Sequence, residues 1–399
     1  MVKSSIANFF ANLALSAAAI LVTLATLELV VFRSILPPDD LIENVTINNV
    51  VRYKPGTNAT FRHPDGRETQ LTINAQGWNS THADYATQKP VGRTRIAVVG
   101  DSYVHGAFVN VDDGFPHRLE TKLNATGHDV EVFRFGMDGA PLSQYLNVLR
   151  REVVEYKPDI VVVPLIHNDF DESYRFIKTR YASAFMKLRK SEDGGIEEIP
   201  AADFTPGTAD KLRRFATFRY LYYETGLYLH AKAWVNALFW GGNEEWDERF
   251  ISSAVDIRKI KDHTANRDSA RYVFAEMKKL SETHGFRLAF VMDGVREAIY
   301  QARSTSEFEV AKLNAIASDL TTSMDLPFVD LQNAFAADYE ATRRHLEYPY
   351  DWHWNVRANT IVADEIIALI TSQAGWLPPA RQLTRPDDTP EAALATTRG

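Results

Sequence analysis

An α/β fold with a parallel central sheet covered by helices on both faces is what this sequence predicts, on two observations. Short apolar runs alternate with helix-like stretches from residue 94 to residue 371. The runs are almost continuously apolar, the pattern of strands buried on both sides. With 45% apolar residues over 399 positions, the chain has material for a sizeable core.

The first 35 residues stand apart. From Ile6 to Val31 only Asn8, Asn12 and Glu28 oppose burial. At about 1.5 Å per residue this run reaches across a hydrocarbon layer roughly 30 Å thick, which predicts an N-terminal transmembrane anchor over residues 1–35. Lys3 precedes the run and Arg33 follows it; the short leading tail favours a cytoplasmic N-terminus and an exported, periplasmic or extracytoplasmic remainder. A cleaved export signal is the first alternative, opposed by the length of the run and by the lack of a small-x-small site before "PPDDLIE". A soluble hydrophobic helix is the second.

In residues 36–90, Pro-Gly and Asp-Gly pairs interrupt short runs rich in Val, Thr and Ile, predicting a small antiparallel β extension that spaces or caps the main domain. Residues 91–376 then alternate. "TRIAVVG", "DVEVFRFG", "PDIVVVPLI", "FRLAFVM" and "LPFVDL" are strands in order. The helices between and after them are Phe115–Ala125, "SQYLNVLRREVVEY", "ARYVFAEMKKLSETHG", "EFEVAKLNAIASDLTTSM" and "NVRANTIVADEIIALIT". An insertion at about 171–262 breaks the alternation: "SEDGGIEEIPAADFTPG" reads as a loop. After it comes an aromatic stretch with Phe218, Tyr220, Tyr222, Tyr223, Tyr228, Trp234, Phe239 and Trp240. Core packing is the first reading of those rings, and a lid or membrane-interface surface the second. Residues 377–399 read as a disordered tail.

In a parallel sheet the ligand site lies beyond the carboxyl ends of the strands, so the residues there are the chemical candidates. Ser102, after the first strand, sits where helical amides face a developing negative charge, although a serine there is also an ordinary helix cap. The second strand ends in "FGMDGAPLSQY", where Gly139 can bring a backbone N–H close to a ligand. The third ends in "PLIHNDF": Asn168 carries a side-chain donor, Asp169 can brace the loop, and His167 reads as a wall residue more than a base. Finally, "DWHW" places Asp351 and His353 on one side of extended backbone, with Trp352 and Trp354 on the other. An acid beside an imidazole fixes its tautomer for proton transfer from a serine.

These four blocks together resemble the SGNH hydrolases, the GDSL-type esterases and lipases. "GDSY" is similar to the nucleophile block, with Ser102 as nucleophile. "GMDGA" resembles the second block, with Gly139 as an oxyanion donor, and "HND" the third, with Asn168 as another. "DWHWN" resembles the last, with His353 as base and Asp351 as its acid. The resemblance spans about residues 94–373, apart from the insertion. It implies a three-layer α/β/α, flavodoxin-like arrangement and a serine-dependent ester hydrolase working without metal or cofactor, with Asp101, Tyr103, His167, Asp169, Trp352 and Trp354 in or behind the cleft. Tyr103 replaces the leucine of the family name, Ile166 a customary glycine, and the final block is Asp-x-His where Asp-x-x-His is usual. An O-acyltransferase acting on a surface polysaccharide uses the same residues, and a non-catalytic anchored carbohydrate-binding or assembly protein is the alternative of another class. The partner is an acyl ester of a glycan or a lipid. A net charge of −8 gives no field for nucleic acid, and the lack of any cysteine excludes thiol chemistry.

Overall fold

Ile96 and Val98 pack into one hydrophobic cluster while Ala97 and Val99, between them in sequence, pack into a second. That division is what a strand buried on both faces produces. The computed structural model describes residues 2–63, 65–174, 184–225, 251–252, 255–256, 263–349 and 351–381. Its core is a five-stranded, all-parallel sheet of β5 (Thr94–Gly100), β6 (Val130–Gly136), β7 (Ile160–Leu165), β10 (Arg287–Met292) and β11 (Phe328–Asp330), in the order β11-β10-β7-β5-β6. All five strands are among those expected from the apolar runs.

One face is covered by α3 (Phe115–Ala125) and α10 (Val356–Ser372), which contribute Leu119, Leu123, Val362 and Ile366 to the cluster of Ile96 and Val98. The other face is covered by α4 (Leu142–Arg151), α6 (His263–His284) and α8 (Ala311–Ser323), through residues such as Leu146, Phe274 and Leu313. Helix α9 (Gln332–Thr342) and the antiparallel pair β12 (Glu347–Tyr348) and β13 (Asp351–Trp354) went unforeseen. Of α9 only Phe335 is buried, so its sequence carries almost no apolar stripe.

The N-terminal extension forms two hairpins, β1 (Asn44–Ile47) with β2 (Val50–Tyr53) and β3 (Asn58–Arg62) with β4 (Glu68–Thr72). It shares the core of the sheet domain. Trp78 packs edge-on to Phe135, Tyr85 stacks on Phe133 at 4.1 Å, and Arg52 makes two 2.7 Å bonds to Glu152. Both side chains of that ion pair are almost fully buried, and removing one partner from such a pair typically costs about 3–5 kcal/mol.

Within the insertion, the stretch read as a loop contains a hairpin, β8 (Lys187–Lys190) with β9 (Ile196–Ile199). Its turn carries Asp193 and two glycines, and Gly194 has a φ of +86°, so the loop-like composition belongs to the turn alone. Residues 226–250, with Tyr228, Trp234, Phe239 and Trp240, lie outside the described residues. The tail is held as far as Arg381, whose N–H donates to the Gly127 carbonyl at 2.8 Å; residues 382–399 also lie outside the description. At the other end, α1 (Val2–Thr26) runs into a wider-wound segment, Leu27–Ile35. Residues Asn8–Ile35 are long and apolar enough to cross a bilayer and are almost wholly exposed.

Candidate active site

Strands β5 and β6 both end in a glycine because the four-residue helix α2 (Ser102–His105) crosses their tips. A Cβ on Gly100 would stand 2.4 Å from the Val104 side chain, and one on Gly136 would stand 2.2 Å from the His105 backbone nitrogen. Asp101 caps this turn, its carboxylate accepting from the Tyr103 N–H at 2.9 Å. That fixes Ser102 at the first helical position, directly beyond β5.

The base arrives from the other end of the chain. Asn355 caps α10 by accepting from the Arg357 and Ala358 amides, and β13 leads directly into that cap. On β13, Asp351 and His353 share a side of the strand, as residues two apart do. One carboxylate oxygen of Asp351 accepts from the His353 backbone N–H at 2.7 Å and lies 2.5 Å from its Nδ1. The other ring nitrogen, Nε2, lies 2.7 Å from Ser102 Oγ. Serine, imidazole and carboxylate are thus in one hydrogen-bonded line, and the shortened Asp-x-His spacing supports it.

Tyr103, expected in or behind the cleft, and three groups unforeseen in the sequence, Phe108, Arg296 and Asp293, hold that line. Phe108 stacks on the His353 ring at 4.2 Å, with Tyr103 tilted near it at 4.7 Å. The Tyr103 hydroxyl donates to the Trp352 carbonyl at 2.9 Å and accepts from Arg296 at 3.0 Å, so the residue after the nucleophile is tied to the strand bearing the base. Arg296, buried in α7 (Arg296–Tyr300), also donates to the Trp352 carbonyl and to Asp293, which in turn accepts from the Trp354 indole at 3.0 Å. A polar Asp293 directly after the apolar β10 run was the one signal available for this network.

The remaining candidates occupy the neighbouring strand ends. Asn168 lies in α5 (His167–Glu172) after β7, and its side-chain N–H donates to Glu172 at 3.3 Å. Asp169 accepts from the Ile166 N–H at 2.7 Å, the bracing role its position suggested. His167 is turned away to Asn314, with Nε2 and the amide oxygen 2.9 Å apart, and lines a cavity wall. Gly139 has a φ of +65°, in the turn closed by the Ala140 N–H to the Met137 carbonyl. Its neighbour Asp138 is held from two sides: its N–H donates to the hydroxyl of Tyr53 in the extension at 3.1 Å, and its carboxylate lies 2.6 Å from Nδ1 of His105 in α2. The extension, read from sequence as a spacer or cap, therefore braces this loop through Tyr53. Among the described residues no three His, Asp or Glu side chains converge as metal ligands.

A cavity of about 240 Å³ opens beside the line. Asn168, Tyr103 and Trp352 are in its wall, with Arg296, Arg303 and Glu307 among its charged lining and Val295, Phe308 and Val310 among its apolar lining. Ser102 lies just outside this lining, next to Tyr103.

Burial pushes the Asp101 carboxyl up to about 7. Burial also pushes Asp138 up, but the adjoining His105 outweighs it and holds Asp138 below the usual carboxylate range. For His353 burial acts downward, yet the carboxylates of Asp351, Asp101 and Asp138 together carry it above the ordinary histidine value. Only the neutral imidazole can take a proton from Ser102. Activity is therefore full above the raised value and lost as pH falls through it. A kcat/KM profile should show its acid limb above about pH 6.5, the unperturbed histidine value; a rate flat from pH 5 to 8 would remove His353 as base.

Residues 96–217 match the family model described as GDSL-like Lipase/Acylhydrolase. Among solved structures it is similar to the acetyl xylan esterase AlAXEase, at 13% identity and a TM-score of 0.39, covering 69% of this chain and 99% of that one. It is also similar to the lipase/acylhydrolase from Enterococcus faecalis, at 16% identity and a TM-score of 0.38, with 72% and 99% covered. A two-domain esterase active on acetylated mannans matches at 10% identity and a TM-score of 0.38, covering 73% of this chain and 52% of that one. No curated protein matches the chain.

Proposed function

We propose that this protein is a membrane-tethered serine esterase that removes short acyl groups from a polar alcohol such as a glycan hydroxyl. The observation carrying the reading is the unbroken line from Ser102 Oγ through the His353 ring to Asp351, with spacings of 2.7 and 2.5 Å. In the first half-reaction His353 Nε2 takes the Ser102 proton as Oγ attacks the ester carbonyl carbon. The imidazolium, stabilised by Asp351, then gives that proton to the departing alkoxide, leaving an acyl-serine. Water enters, His353 removes its proton, and collapse of the second tetrahedral intermediate returns the proton to Ser102 Oγ and releases the acid.

In this reading the oxyanion is held by the backbone N–H groups of Ser102 and Gly139 and by the Asn168 side chain. The small, mixed polar and apolar cavity beside Asn168 supports a short acyl group on a polar alcohol over a long lipid chain. Its charged rim also suits a sugar acceptor, which is why acyl transfer to a glycan is the second reading. Retention of the anchor, and with it an extracytoplasmic catalytic domain, is supported by its outer end: Phe32 is buried and its ring lies 4.6 Å from that of Tyr220 in the folded domain. A cleaved signal has no need of such packing.

The test is turnover by the full chain in detergent on p-nitrophenyl acetate and p-nitrophenyl octanoate, then on an O-acetylated oligosaccharide with and without an unacetylated acceptor. Acetate release to water, with the short ester preferred at least tenfold, is expected. Transfer to the acceptor in place of water would make the enzyme a transferase with the same machinery. Preference for the octanoate would overturn the assignment of substrate class.

A further inference from the structure

Glu28 is an anomaly of the apolar run: a carboxylate inside a segment otherwise fit for lipid. Its two oxygens are engaged by three donors of the insertion and by the anchor's own Arg33. They accept from the Ala216 N–H at 3.0 Å, the Thr217 N–H at 2.9 Å, the Thr217 hydroxyl at 2.9 Å and Arg33 at 3.1 Å. One turn further on, Phe32 packs against Tyr220. The helical turn Ala216–Arg219 is thus docked on the anchor itself, seven residues before the apolar run ends at Ile35.

The 28 residues of that run would extend about 42 Å as an α-helix, against roughly 30 Å of hydrocarbon, so its last turns reach the headgroup layer. Whatever is fastened to Glu28 is held at that level. What the fastened segment turns outward is apolar: Leu212, Phe215 (54% exposed) and Leu221, beside the exposed Ile35 and Leu36 of the anchor. Lys211 is exposed close by, as are Arg214 and Arg33, which pair with Glu43 and Glu28 at 3.1 Å yet keep more than half of their side chains in reach of the headgroup layer.

From this we infer that residues 211–222 form a second membrane contact, seated in the phospholipid headgroup layer beside the anchor, with Phe215 and Leu221 entering the acyl boundary. The inference rests on the tethered reading above, and its occupant is the bilayer that holds the anchor.

The chain has no cysteine, so single-site labelling is clean. Leu21→Cys in the anchor, Phe215→Cys, Leu221→Cys and Val91→Cys would each carry a bimane fluorophore on the full chain. Val91 is fully exposed and precedes the start of β5, the strand whose far end leads into Ser102. The proteins are reconstituted into vesicles of phosphatidylethanolamine and phosphatidylglycerol containing both headgroup-proximal and mid-chain nitroxide lipids, and far-ultraviolet circular dichroism checks that each is folded. Labels at 21, 215 and 221 should be quenched at least twofold more than the label at 91. Quenching at 21 with 215 and 221 equal to 91 overturns the second contact and leaves the anchor standing. Loss of quenching at 21 overturns the tether, and the second contact falls with it.

Discussion

Ser102→Ala should reduce kcat by roughly 10⁶-fold, as loss of the nucleophile does in serine proteases, while leaving unfolding behaviour unchanged. The Ser102 hydroxyl engages His353 at 2.7 Å and lies 3.5 Å from Asp101, so its removal deletes one hydrogen-bonding group and little packing. Two measurements check this. Steady-state hydrolysis of p-nitrophenyl acetate should fall to the uncatalysed background. Intact-mass analysis after treatment with a fluorophosphonate should give one adduct on the native chain and none on the variant. An undiminished rate would show that another group attacks the ester.

Asp351→Asn should lower kcat by about 10⁴-fold with a small change in KM. The backbone N–H of His353 and its Nδ1 both converge on the same Asp351 oxygen. An amide can still accept from the backbone, so the strand keeps its shape. What is lost is the charge that orients the ring with its proton on Nδ1 and stabilises the imidazolium. The same substitution should move the acid limb of the pH profile downward, because Asp351 is the leading influence raising His353. A loss below tenfold with an unmoved limb would transfer the acid role to another carboxylate, with Asp101 and Asp138 the nearest in effect.

The parts of the molecule legible in the sequence are those whose physics is local. A strand buried on both faces has to be apolar at every position, so all five sheet strands stood out as runs. Asp351 and His353 were legible as a pair because a two-residue spacing fixes their side of a strand. Phe108, Arg296 and Tyr53 were not. Each acts across a contact between segments far apart in the chain, and an aromatic ring in a loop or an arginine in a short helix looks the same whether or not it braces an active site. The hairpin β8–β9 was misread because its turn dominates its composition, and α9 was missed because a helix lying mostly exposed leaves no periodic stripe.

The Phe108 ring against His353 is also one end of a short mechanical path. Phe108 lies 5.8 Å, ring to ring, from His63, which directly follows β3. Arg62, the last residue of β3, donates to the Pro38 carbonyl and the Asp39 carboxylate, three and four residues past the end of the apolar run. On the tethered reading, an enzyme leashed so closely would patrol a thin film of solvent over the bilayer. Its encounters are then governed by how densely acylated material crowds that film, and bulk concentration matters little. Lengthening the leash between Leu36 and Asp39 would loosen that confinement without touching the chemistry.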